Sequence, residues 1–243
     1  MGYQSIVHGR ILLDGDFEES QQFIRSLGND KTFPKISTNM FGLGITQPTY
    51  YEDPVIVLGA TYKQVEYDWT SFILKFEHIL RNVKFDTAKI QLETEIMGTY
   101  NFFWKSKESN TSFRPEEKLI ETDEWFFGYG NRDRWGYFDT DIEDHQILHD
   151  FEYPIIFSND QKEAFQKIID AVGHIYKQKV YPYHQELKFS ETYNLLFPLL
   201  NKLSFERKID FGFDVEKDKE GIPIITSKKF YIIFNEKINI NGI

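Results

Sequence analysis

One stretch dominates what this chain can become. Trp69, Phe72, Ile73, Phe76, Ile79 and Leu80 recur at i, i+3, i+4, i+7, i+10 and i+11, a continuous apolar stripe along one side of a helix. Such a helix has to cover something, and its neighbours carry strand periodicity. Residues 54–65 ahead of it read as a strand, and Asp68 is placed to cap the helix. Behind it Ala88, Ile90, Leu92 and Ile96 alternate with Lys89, Gln91, Glu93 and Glu95, as in a sheet with one face on a core.

The same logic extends upstream. Residues 5–13 form a short β-rich run, Asp14 and Gly15 turn the chain, and Asp16 with Glu19 has capping-box spacing. Phe17, Phe23, Ile24 and Leu27 share a helical face that Gly28 is placed to end. Residues 39–46 read as a weak, glycine-punctuated edge strand. The order is β-α-β-β-α-β over residues 1–98, which is the ferredoxin-like split βαβ architecture within an α+β fold. That architecture hosts many activities, so it carries no function by itself.

Residues 99–150 differ in character. Tyr100, Phe102, Phe103 and Trp104, then Trp125, Phe126, Phe127, Tyr129, Trp135, Tyr137 and Phe138, are interleaved with glycines. They predict aromatic hairpin strands that extend the first sheet or bridge to the second half of the chain. Residues 151–243 predict a second α+β half: a strand at 153–157, a helix opened by an Asp160/Glu163 capping box, and a helix that Pro198 should kink or divide. An antiparallel meander closes this half.

Charge is unevenly placed on a chain of net −10. Residues 1–100 hold 9 basic and 13 acidic side chains, residues 101–150 hold 6 and 12, and residues 151–243 hold 13 of each. The middle segment therefore carries over half of the excess. An acidic balance argues against nucleic acid, whose phosphates are met by Lys and Arg, and favours a basic partner. The absence of cysteine excludes disulfides, thiolate metal sites and thiol catalysis. The chain starts without a basic and apolar leader, and its longest apolar runs fall far short of a bilayer span, so a cytoplasmic, non-membrane setting is expected. Its Lys-, Ile-, Asn- and Phe-rich usage resembles that of an AT-rich bacterial or phage source.

Candidate chemistry is sparse. His145 and His149, four residues apart with Asp141 nearby, could hold one divalent ion on a helical face, but Gln146 stands where H-E-x-x-H hydrolases carry their glutamate. The glycine pairs 42/44 and 128/130 lack the third glycine of a dinucleotide loop, and no G-x-S-x-G elbow occurs. No cofactor is implied.

What stands out is an aromatic anchor beside an acidic rim: Trp125, Phe127, Tyr129, Arg132, Arg134 and Trp135, followed by Asp139, Asp141, Glu143 and Asp144. The alternative is that these rings fill the seam between the two halves of the chain. The expectation is a non-catalytic binder or inhibitor of a basic protein, of the immunity, antitoxin or phage counter-defence kind. A metal-dependent hydrolase at His145/His149 and a nucleotide or small-ligand sensor are the competing readings.

Overall fold

The computed structural model describes residues 3–14, 17–28, 30–43, 54–95, 98–109, 119–131, 151, 153–172, 189–213, 216–217, 219–220, 223–224 and 230–243. The chain divides into two compact units, Met1–Pro154 and Ile155–Ile243.

The first unit is built on one seven-stranded sheet in the order β2-β3-β1-β4-β5-β7-β6, with every pairing antiparallel. Its strands are β1 (Gln4–Leu13), β2 (Phe41–Gly42), β3 (Val55–Lys63), β4 (Phe85–Thr94), β5 (Gly98–Ser106), β6 (Ile120–Glu121) and β7 (Trp125–Asn131). Two helices accompany them, α1 (Phe17–Ser26) between β1 and β2 and α2 (Trp69–Asn82) between β3 and β4.

Alternation decides which face is covered. Val7 and Ile11 of β1, Ile56 and Leu58 of β3, Ile90 and Leu92 of β4, and Phe102 and Trp104 of β5 are all buried. By register they share one face, on which Trp69 of α2 packs 4.9 Å from Phe102 and Phe76 5.0 Å from Trp104, between ring centres. The backbones of β1 and β4 approach so closely at Gly9 that a Cβ there would lie 2.1 Å from the Lys89 carbonyl oxygen. Only glycine fits that position.

Helix α1 matches its dipole, with Glu18 and Glu19 in the first turn and Arg25 in the last, and Gly28 past its end takes the left-handed φ of 67°. Asp16 of the expected capping box lies outside the described residues. Asp68 does occupy the N-cap position of α2, but its side chain makes no capping hydrogen bond. The chain enters α2 directly from a 3₁₀ turn at Val65–Asp68. That turn is tied to β1 instead, because Ser5 Oγ donates to Glu66 and accepts from the Val65 amide at 3.3 Å.

The second unit holds α3 (Asn159–Val172), α4 (Phe189–Phe205), β8 (Ile209–Phe213), β9 (Glu216–Lys217), β10 (Pro223–Ile224) and β11 (Phe230–Phe234). Phe165, Ile168 and Ile169 of α3 are buried, as are Leu196, Leu199, Leu200 and Leu203 of α4, and Gln161 Nε2 donates to the Leu195 carbonyl at 3.0 Å.

Four expectations for this half change. The expected strand at 153–157 is irregular, since Tyr153 is held through its side chain and Pro154 has no amide proton to pair. The capping box of α3 is Ser158/Gln161, not Asp160/Glu163: the Gln161 amide donates to Ser158 Oγ at 3.2 Å and its side chain accepts from the Ser158 amide at 2.8 Å. Pro198 does not divide α4, because buried leucines on both sides hold the helix continuous across the missing bond. The closing strands are nested rather than a meander, with β8 pairing β11 outside and β9 pairing β10 inside.

Candidate functional site

The densest chemistry among the described residues lies where α2 crosses β5 and β7. Helix α2 is buried almost all round, so residues off its apolar stripe are enclosed as well: Ser71, Lys75 and Glu77 join the rings. Glu77 faces the sheet, where Trp104 Nε1 of β5 donates to its Oε1 at 2.9 Å. The Tyr153 hydroxyl also bonds this carboxyl, and Arg81 one turn on lies 3.8 Å from it.

A tight turn aims the remaining members. Thr122 Oγ1 accepts from the Glu124 and Trp125 amides at 3.3 and 3.1 Å, and its own amide donates to the Trp125 carbonyl at 2.9 Å. Glu124 is thereby presented to Arg81, which donates to both of its oxygens at 2.8–3.1 Å. The guanidinium also lies 5.0 Å from the centre of the Trp125 ring, in cation–π range. Trp125 Nε1 donates to the Tyr153 hydroxyl at 2.7 Å, and the Tyr153 ring stacks on Phe127 with centres 3.6 Å apart.

An indole nitrogen only donates, so the Tyr153 oxygen accepts from Trp125, and toward an ionised Glu77 the Tyr153 proton is the donor. Burial pushes the Glu77 carboxyl up to about 7, against the pull of Trp104, Tyr153 and Arg81 in the other direction. Burial first, then the Glu77 charge, pushes the Tyr153 hydroxyl far up, so it stays a donor. A carboxyl raised to about 7 by burial changes its charge close to neutral pH.

The opposite face of the sheet is exposed at β3 and β1 and half-buried at β4. There Val57 is 52% exposed directly across from Arg10, with Ile6 and Val55 beside it, and His8 bonds Glu93 at 3.1 Å. At β5 this second face is closed too: Asn101, Phe103 and Lys105 are buried, with Leu119 and Phe126 against Phe103.

Of the residues expected to form an aromatic anchor, Trp125 and Phe127 are buried in the core of the first unit and Tyr129 is half-buried, 5.6 Å from Phe151 between ring centres. Trp125 and Phe127 therefore pack rather than project, because both lie on the helix-covered face of β7. Arg132, Arg134, Trp135, Asp139, Asp141, Glu143, Asp144, His145 and His149 lie outside the described residues. Among those that are described, no three His, Asp or Glu converge as a metal site.

Glu77, Arg81 and Tyr153 escaped the sequence reading. Glu77 and Arg81 show only as an acid four residues before a base on a helix, a pattern usually found in solvent. No known protein-family model, curated protein or solved structure matches this chain. Its described fold is a mixed α+β architecture with a large antiparallel sheet and four α-helices. None of those helices is long and apolar enough to cross a membrane.

Proposed function

We propose that the chain is a non-catalytic interaction protein, an acidic binder that neutralises a basic protein partner as an immunity protein, an antitoxin or a phage counter-defence factor does. The placement of acidic charge carries this reading. Residues 101–150 hold 12 acidic side chains against 6 basic ones, and four of those acids, Glu108, Glu121, Asp123 and Glu124, are exposed together. They gather at one end of the β5–β7–β6 edge, since Ser106 pairs with Trp125 and the turns beyond both strands fall side by side. Such a rim draws a basic surface in and sets its orientation. The buried rings of Trp125 and Phe127 behind it keep it stiff, which lowers the ordering cost of binding.

On the same footing we read β1-α1-β2-β3-α2-β4 as a ferredoxin-like unit in a cytoplasmic protein of bacterial or phage source. Its strand order β2-β3-β1-β4 and antiparallel pairings support the architectural part of that reading.

The test is capture of partners by the full chain and by a variant carrying Glu108→Gln, Glu121→Gln, Asp123→Asn, Asp141→Asn, Glu143→Gln and Asp144→Asn. A basic protein bound by the wild type and lost from the variant, with binding that weakens as salt rises, is the expected result. If every captured protein stays bound to the variant, or none of them is basic, the reading fails.

A further inference from the structure

The sheet face opposite α2 carries an order of charge along its strands. Arg10 of β1 stands directly across from Lys89 of β4, and farther along the same ladder Ile6 stands across from Glu93. His8 and Gln91 form the level midway between. Arg10 is exposed and makes no ion pair among the described residues. Like charges directly opposite one another destabilise a sheet, and a carboxylate arriving from outside removes that cost. Large apolar side chains lie in the open around these groups: Val57 is 52%, Ile6 39% and Val55 36% exposed. We propose that this β3–β1–β4 face docks on the same face of a second copy of the chain, with Arg10 and Lys89 of each copy meeting Glu93 of the other.

The register makes the face self-complementary. A two-fold axis lying between the sheets, across the strands at the His8–Gln91 level, exchanges the Arg10–Lys89 level with the Ile6–Glu93 level. Each β4 then runs in reverse over its copy, and Lys89 of one chain faces Glu93 of the other, twice. Facing sheets stand about 10 Å apart, a gap that a lysine and a glutamate together bridge. Arg10 lies one strand over, within reach of the same carboxylate, and its stem rests against Ile6 of the copy. Glu95, exposed in the turn after β4, adds a second acid at that end, and Lys63 at the β3 corner falls over the neutral Val55. A face mixing charges with a few aliphatic side chains makes a weak, transient interface. It is bare on the dilute chain and becomes covered as concentration rises.

Sedimentation velocity of the full chain between about 1 and about 200 µM reads the association directly. A shift from monomer to dimer across that range is expected, weakening as salt rises. Arg10→Glu and Glu93→Arg should each raise the dissociation constant by about tenfold. An equimolar mixture of the two variants should recover dimer, because the reversed charges then match across the axis. A wild-type chain that stays monomeric throughout overturns the proposal, as does a dimer indifferent to Arg10→Glu or a mixture no tighter than its components. Glu93 also bonds His8 and Gln91, so should Glu93→Arg not fold, Arg10→Glu decides alone.

Discussion

The ammonium of Lys75 lies 2.5 Å from the Asp30 carboxylate, and the lysine side chain has no exposure to solvent. It also donates to the Thr32 carbonyl, Thr32 Oγ1 and the Pro34 carbonyl, each at 2.9 Å. Asp30 in turn accepts from the Thr32 and Ile36 amides at 3.0 and 3.2 Å, so this pair shapes the segment after α1 and pins it to α2. Removing one partner of a buried pair strands the other. Asp30→Asn is expected to cost about 3–5 kcal/mol in chemical denaturation. Lys75→Met combined with Asp30→Asn should cost less than the sum of the single changes, which a double-mutant cycle reads directly.

Glu77 sets a pH dependence of stability. Its carboxyl stands at about 7 in the fold against 4.5 as an ordinary glutamate. Below about 4.5 both folded and unfolded chains hold the proton, and in between only the unfolded chain releases it. Stability therefore falls as pH rises from about 4.5 to 7 and levels off above, by up to about 3 kcal/mol. Comparing the wild type with Glu77→Gln at a series of pH values isolates this contribution, which should vanish in the variant.

Two glycines of one sheet should respond oppositely to alanine. At Gly9 the added carbon meets a backbone oxygen of the paired strand, which cannot yield without breaking the β1–β4 ladder, so a loss above about 3 kcal/mol is expected. At Gly59 the nearest atom is 4.0 Å away and the site is exposed, so the change should stay within about 0.5 kcal/mol. Thermal melting of the two variants distinguishes them.

The two faces of the sheet differ in the same way. Phe127→Ala empties a fully buried site between Trp104 and Tyr153 and should cost about 3–5 kcal/mol. Val57→Thr, on the open face, should cost about 0.5 kcal/mol or less. A large loss at Val57 in chemical denaturation would show that this face is covered in solution.

Ser158→Ala should weaken α3 by about 1 kcal/mol, while Asp160→Ala should matter less, because Ser158 makes the reciprocal bonds with Gln161. The sequence offers both S-x-x-Q and D-x-x-E two residues apart, and composition cannot choose between them. That near-miss is typical of what sequence conveys here. Period is readable: the stripe from Trp69 to Leu80 and the alternation at Ala88, Ile90 and Leu92 both belong to buried faces. Partnership across distant segments is not. Nothing local announces that Lys75 will meet Asp30, that Glu77 will meet Trp104 and Tyr153, or that the conspicuous rings of Trp125 and Phe127 will turn inward. That Pro198 leaves α4 undivided is no more local, since the leucines that hold the helix together act through tertiary packing.

The closure of β5 on both faces bears on how this chain behaves before it is folded. Residues 100–105, YNFFWK, are buried throughout, and β4 and β7 occupy both edges. Aromatic-rich, with a single charge and no proline, this is the kind of segment that pairs with copies of itself when left open. Folding takes every backbone group and both side-chain faces of that segment out of reach, while the shorter β2 and β6 are left at the sheet's rims. The hazard is confined to the interval between synthesis and the docking of β7, so variants that delay that hairpin should be recovered in inclusion bodies even where their folded state is sound.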